Sequence, residues 1–93
     1  MLFRSSFQRA VQLNPKNKEA RYGLGHVYAM QGKLAQAEAE FRSAIQIDDT
    51  YSEAHTYLGQ VLASQGKWDE AIQSYRAALV NPLYATQIGR AHV

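Results

Sequence analysis

The chain has 93 residues, enough for one small domain, with 46% apolar residues and a formal net charge of only +2. It contains no cysteine, which excludes disulfides and thiolate chemistry. The 10 lysines and arginines are scattered rather than blocked, so no nucleic-acid footprint is visible, and no apolar run approaches the length of a membrane span.

In chain order, residues 1–17 read as a single helix carrying Phe7 and Ala10 and ending at Asn14-Pro15, which breaks the chain. Residues 18–51 read as two helices. Ala20, Leu24, Val27 and Tyr28 recur at helical spacing in the first, and Leu34, Ala37, Phe41, Ala44 and Ile45 in the second. Gly32 sits just past the first stripe, where a left-handed backbone ends a helix without steric cost, and Lys33 follows beside the last carbonyls. Residues 52–84 repeat the scheme with Leu58, Leu62, Gly66-Lys67, Ala71, Tyr75 and Ala78, up to a second break at Asn81-Pro82. Thr50 with Glu53 has the spacing of a capping box, and Asp69-Glu70 places acids in the first turn of a helix beginning near Trp68. Residues 85–93 follow no apolar pattern and read as a tail outside the repeats.

A spacing of 34 residues links these elements. Phe7, Phe41 and Tyr75 fall on it, as do Ala10, Ala44 and Ala78, Leu24 and Leu58, Gly25 and Gly59, Ala37 and Ala71, and the tripeptides Gln31-Gly32-Lys33 and Gln65-Gly66-Lys67. Self-similarity at such a period predicts an all-α solenoid whose units bury their apolar faces against one another. Gly25 and Gly59 need a separate reason, because glycine inside a helix costs about 1 kcal/mol relative to alanine. The expected reason is close helix approach opposite the small Ala37 and Ala71, with Tyr28, Phe41, Leu62 and Tyr75 filling the adjacent layer.

Chemistry-bearing constellations are weak. His26, His55 and His92 lack the i, i+4 spacing that sets two imidazoles on one helix face, so no metal is expected. Asp48-Asp49 reads as an inter-unit turn, and Glu38 and Glu40 as solvated helix surface. No serine sits on a glycine-rich elbow with a base partner, and Gly23-Leu24-Gly25 lies inside a helical pattern rather than after a strand. Neither catalytic residues nor a cofactor are expected, and the chain is read as not an enzyme.

These residues resemble the tetratricopeptide repeat (TPR) family. One copy matches its small-and-large pattern at Leu24-Gly25, Tyr28, Gly32, Ala37, Phe41 and Ala44, and the next at Leu58-Gly59, Leu62, Gly66, Trp68, Ala71, Tyr75 and Ala78. The resemblance implies a right-handed superhelix of antiparallel helix pairs, about two and a half repeats long, with residues 1–17 as the second helix of a preceding copy. It also implies that the first helix of each unit lines a concave groove for a protein or peptide partner. That groove would present Glu19, Tyr22, His26, Ala29 and Met30 from one copy and Glu53, Thr56, Tyr57, Gln60 and Ser64 from the other. Such a lining is expected to grip a peptide by apolar contact and hydrogen bonds without strong charge selection. Relatives that hold a C-terminal carboxylate use lysines, an arginine and asparagines, where this chain has Tyr22, His26, Thr56 and Gln60.

The ending Asn81-Pro82-Leu83-Tyr84-Ala85-Thr86 is similar to that of TPR lipoproteins supporting type IV pilus assembly, which implies a bacterial protein at the periplasmic face of the outer membrane. Without that link the expected compartment is the cytoplasm, and the second functional reading is a repeat arm that positions the catalytic domain of a larger enzyme. The sequence reads as a fragment, with residues 87–93 expected to be non-native. Phe3, Phe7 and Val11 are expected to lie uncovered on the first helix, so that the isolated chain is marginally stable or self-associates.

Overall fold

The computed structural model describes residues 2–80, with side chains from residue 6 onward. The expectations for Phe3, for Asn81-Pro82, for His92 and for the tail 85–93 therefore lie outside the described residues. Five helices follow in order: α1 (Leu2–Leu13), α2 (Lys18–Met30), α3 (Leu34–Ile47), α4 (Ser52–Ser64) and α5 (Trp68–Leu79). No strand occurs among the described residues. Helices α2 and α3 form one tightly packed hairpin and α4 and α5 another; α3 packs on α4 and α1 on α2, completing an α-solenoid of about two and a half units.

The turns inside the hairpins are set by glycine. Gly32 and Gly66 adopt φ of 77° and 78°, a left-handed backbone that a residue with a Cβ takes up at a cost. Around Gly32, its N–H donates to the Ala29 carbonyl and the Lys33 N–H to that of Tyr28, the paired closure of a Schellman motif. Gly66 and Lys67 repeat it on Ala63 and Leu62. The turns between units are set by a different device, also repeated at 34 residues: Asn14 Oδ1 accepts from the Lys16 N–H at 3.1 Å, and Asp48 Oδ1 from the Thr50 N–H at 3.0 Å. This second turn overturns the expected capping box. Thr50 Oγ1 donates to Asp48 Oδ1 at 2.7 Å, and α4 begins at Ser52 behind Tyr51, which makes no side-chain cap. At the equivalent place before α2, Asn17 Oδ1 does cap, accepting from the Ala20 N–H at 3.0 Å.

The core joins the two hairpins through Leu24, Tyr28, Ala37, Phe41, Leu58, Val61, Leu62 and Ala71, with Phe41 and Leu62 wholly enclosed. The helix-interior glycines make room for aromatic rings from a neighbouring helix, not for the backbone opposite Ala37 and Ala71. A Cβ on Gly25 would lie 2.9 Å from the Phe41 ring, and one on Gly59 would lie 2.9 Å from that of Tyr75. Gly23 does the same for Phe7, whose ring would be 2.4 Å from such an atom. Phe7 is thus half-buried against α2 instead of uncovered, and Val11 is half-buried too.

Glu38 and Glu40 are not solvated surface. The Glu38 carboxylate accepts from Gln65 Nε2 (2.9 Å), Lys67 Nζ (3.1 Å) and Arg42 Nε (2.9 Å), and Arg42 reaches on to Glu70 at 3.0 Å. This network ties α3 to the α4–α5 turn and to α5. Burial opposes ionisation of Glu38, but the bonds from Gln65, Arg42 and Lys67 outweigh it and hold its pKa at about 2. Glu40 accepts from Arg21 Nη1 at 3.1 Å, bracing α2 against α3, and Arg21 Nε also donates to the Pro15 carbonyl at 3.3 Å.

Candidate functional site

Where α2 and α4 run side by side, their facing side chains form an aromatic cluster. Tyr22 of α2 stands at its centre, with ring centroids 5.6 Å from Tyr57 of α4, 5.3 Å from Tyr51 and 5.8 Å from the buried Phe41. Tyr57 in turn stacks on Phe41 at 6.1 Å and takes His26 edge-on at 5.1 Å. Tilted and edge-to-face pairs at these distances are favourable beyond the area they bury, so the cluster is a stiff wall.

Beside this wall opens a recess of about 530 Å³ lined by Phe7, Glu19, Tyr22, Gly23, His26, Val27, Met30 and Tyr57. Its floor is mainly apolar. Met30 is 70% exposed at its edge, an unbranched thioether free to follow the shape of a bound side chain. His26 Nδ1 is buried with no hydrogen-bond partner among the described residues. Five of the ten groove residues expected from sequence therefore meet at one place: Glu19, Tyr22, His26, Met30 and Tyr57. Glu53, Thr56 and Gln60 do not line it. Glu53 and Gln60 are exposed on α4, and Thr56 Oγ1 is turned back to the Ser52 carbonyl at 3.0 Å. Ala29 packs against the core instead, and Ser64 Oγ donates to the Gln60 carbonyl.

Four contributors were not foreseen. Phe7, Gly23 and Val27 complete the recess, and Tyr51 backs the wall. A signal for two of them lay in the period, since Gly23 is the counterpart of Tyr57 and Tyr51 the counterpart of the capping Asn17.

The electrostatics are asymmetric. Burial raises the pKa of Tyr22, helped by the adjacent Tyr57 and Tyr51 and by the Glu53 charge. Tyr51 is raised first by burial and then by the carboxylates of Glu19, Glu53 and Asp48. Lys18 leans over the Tyr51 ring, 5.1 Å from its centroid, and is ion-paired with Asp48. That bond raises Lys18 against an opposing effect of burial, and it holds Asp48 at about 2 with help from Thr50.

Other features offer less. A second recess of about 520 Å³ between α3, α4 and α5 is crossed by the Arg42–Glu70 ion pair. No group of three or more His, Asp or Glu among the described residues is placed to hold a metal ion. His55 Nε2 instead lies 2.8 Å from the Asp49 carbonyl. No described helix is long and apolar enough to cross a membrane.

Residues 4–84 match the tetratricopeptide repeat family. The chain is a tetratricopeptide repeat protein. No curated protein matches it by sequence. Among solved structures this TPR protein is similar to MamA, with a TM-score of 0.80 and 26% identity over 94% of this chain and 49% of MamA. It is similar to YrrB, described as a TPR protein with an unusual peptide-binding site, with a TM-score of 0.76 and 25% identity over 90% of this chain and 45% of YrrB. The first TPR of Spaghetti (RPAP3), solved with the HSP90 peptide SRMEEVD, shares the fold with a TM-score of 0.80 and 22% identity, over 95% of this chain and 72% of that one. The chain thus spans about half the length of MamA and of YrrB.

Proposed function

We propose that this TPR protein is a non-catalytic interaction scaffold that holds a peptide segment of a partner protein in the recess between α2 and α4. The observation that carries this reading is the recess itself: a stiff Tyr22–His26–Tyr57 wall beside an apolar floor with an exposed Met30. A rigid aromatic surface with a few polar groups loses little entropy on binding and fixes the orientation of its ligand. Peptide binding by YrrB and by the RPAP3 repeat domain, which share the architecture, supports it.

Peptide display on the immobilised 93-residue chain tests the reading, followed by titration of selected peptides against His26→Ala and Met30→Ala. Both residues edge the recess, and neither belongs to the enclosed core. Affinity should fall about fivefold or more for each, in line with loss of an interface contact worth about 1 kcal/mol. Unchanged affinity in both variants would remove the recess as the contact site.

For the partner's identity, we propose a component of type IV pilus assembly, on the similarity of residues 81–86 to the ending of pilus lipoproteins. Co-purification of a type IV pilus assembly component with the tagged protein from a piliated source is the expected outcome. Failure to recover it from a piliated source would count against this assignment while leaving the scaffold reading in place.

A further inference from the structure

Resting on the peptide-binding reading above, we infer that the recess selects a segment in which an apolar anchor is flanked by lysine or arginine. Charge selection was not expected from the sequence; it follows from how the fold distributes the charges. Glu19 lines the recess directly and is exposed. Glu53, in the first turn of α4, lies near enough for its charge to act on both Tyr22 and Tyr51. Two carboxylates therefore overlook a surface that is otherwise aromatic and apolar.

The charge of Lys18 reaches both carboxylates, but with Asp48 there are three acids to one lysine, an excess of two negative charges. Lys18 is engaged with Asp48, and Arg21 with Glu40 and the Pro15 carbonyl. Among the described residues, no lysine or arginine lines the recess. A peptide carboxylate would meet the net negative charge around Glu19 and Glu53, and like charges at an interface suppress the wrong partner. A peptide guanidinium or ammonium would gain both carboxylates and the faces of the tyrosine rings. An apolar residue next to it would enter beside Met30, Val27 and Phe7. The chemistry is the reverse of a site built to grip an acidic chain end.

The test uses three fluorescent peptides, acetylated and amidated, that share one Leu-Met-Phe anchor and differ only in flanking residues: arginine, serine or glutamate. Anisotropy titration against the 93-residue chain should rank them arginine, serine, glutamate, and added salt should shrink the gap between the first two. Glu19→Gln and Glu53→Gln should each lower the ratio of arginine-peptide to serine-peptide affinity about twofold to fivefold, the scale of an exposed ion pair. The ratio is the informative readout, because a variant that merely loosened the fold would weaken both peptides alike. Equal affinity for the arginine and serine peptides, or preference for glutamate, would overturn the inference and leave the groove standing. Binding of none of the three would remove the groove reading and this inference with it.

Discussion

The Phe41 ring occupies the space that a Cβ on Gly25 would need, with its Cε1 2.9 Å from that position. Glycine is therefore retained in the middle of α2 despite a helix-propensity cost of about 1 kcal/mol. Gly59 and Tyr75 form the same pair one unit later, but Phe41 is wholly enclosed whereas Tyr75 is 38% exposed. The Phe41 ring has nowhere to go, and the Tyr75 ring can swing outward. Gly25→Ala should lose about 1–3 kcal/mol through overpacking, while Gly59→Ala should fall within about 0.5 kcal/mol of neutral as the propensity gain offsets a small ring shift. Urea unfolding of both variants checks the contrast, and an equal loss at the two sites would contradict it.

Glu38 makes the joint between the hairpins sensitive to acid. Its folded pKa is about 2 against an ordinary 4.5, so the folded state holds the ionised form. The stability this contributes is present above about pH 4.5 and is lost as pH falls toward 2. Asp48, also held at about 2 from an ordinary 3.8, acts in the same direction at the exposed inter-unit turn. Thermal melts between neutral pH and pH 3 should show a steeper decline for the native chain than for Glu38→Gln, which starts less stable. Parallel curves for the two would show that the Gln65–Lys67–Arg42 network carries no proton-linked stability.

The helix pairs and their turns were legible because they depend on local rules that repeat. Apolar residues recur at helical spacing in α2 and α3, and Gly32 and Gly66 end helices wherever they stand. What the sequence hid was side-chain choice between competing partners. Thr50 had Glu53 at capping distance, but Asp48 was nearer once the turn closed, and it took the hydroxyl. Glu38 and Glu40 look alike on a linear chain. Apart from the local Glu38–Arg42 pair, their partners Gln65, Lys67 and Arg21, each 19 residues or more away in sequence, are brought to them by packing. In the recess, Glu19, Tyr22, His26 and Met30 of α2 were expected through the family resemblance, which puts the first helix of each unit on the groove. Phe7 was not, because it comes from another helix and enters through the gap left by Gly23.

Tyr22 gives the wall a signature at high pH. Its folded pKa is raised above the ordinary 10 mainly by burial, so its proton is bound more tightly in the folded than in the unfolded chain. That contribution is complete below pH 10 and is lost as pH rises through the folded value. Absorbance titration at the phenolate band should show the raised tyrosines ionising late, together with unfolding. Tyr22→Phe should remove one late-titrating group. A titration in which all tyrosines of the native chain ionise together near the ordinary value would show that the cluster is open to water.

Among the described residues, helix α5 carries an uncovered stripe. Trp68, Ile72, Tyr75 and Leu79 follow one another at intervals of four, three and four residues, and all are exposed. On α3 the matching positions Leu34, Phe41 and Ile45 are packed into the core. We propose, from the charges of α5, that its occupant is a second copy of α5 lying antiparallel. Such a pairing sets Asp69, in the first turn, beside Arg76 of the other copy, in the last turn, and does so twice by symmetry. Sedimentation velocity of the 93-residue chain should show a concentration-dependent monomer–dimer equilibrium, and emission of the single tryptophan should shift to the blue as Trp68 is covered. Ile72→Glu should abolish both effects without unfolding the chain, since Ile72 is half exposed and outside the enclosed core. Reversing one charge with Asp69→Arg should weaken the dimer, and adding Arg76→Asp should restore it. A chain that stays monomeric at several hundred micromolar, or an Asp69→Arg variant that dimerises as well as the native chain, would rule out this arrangement.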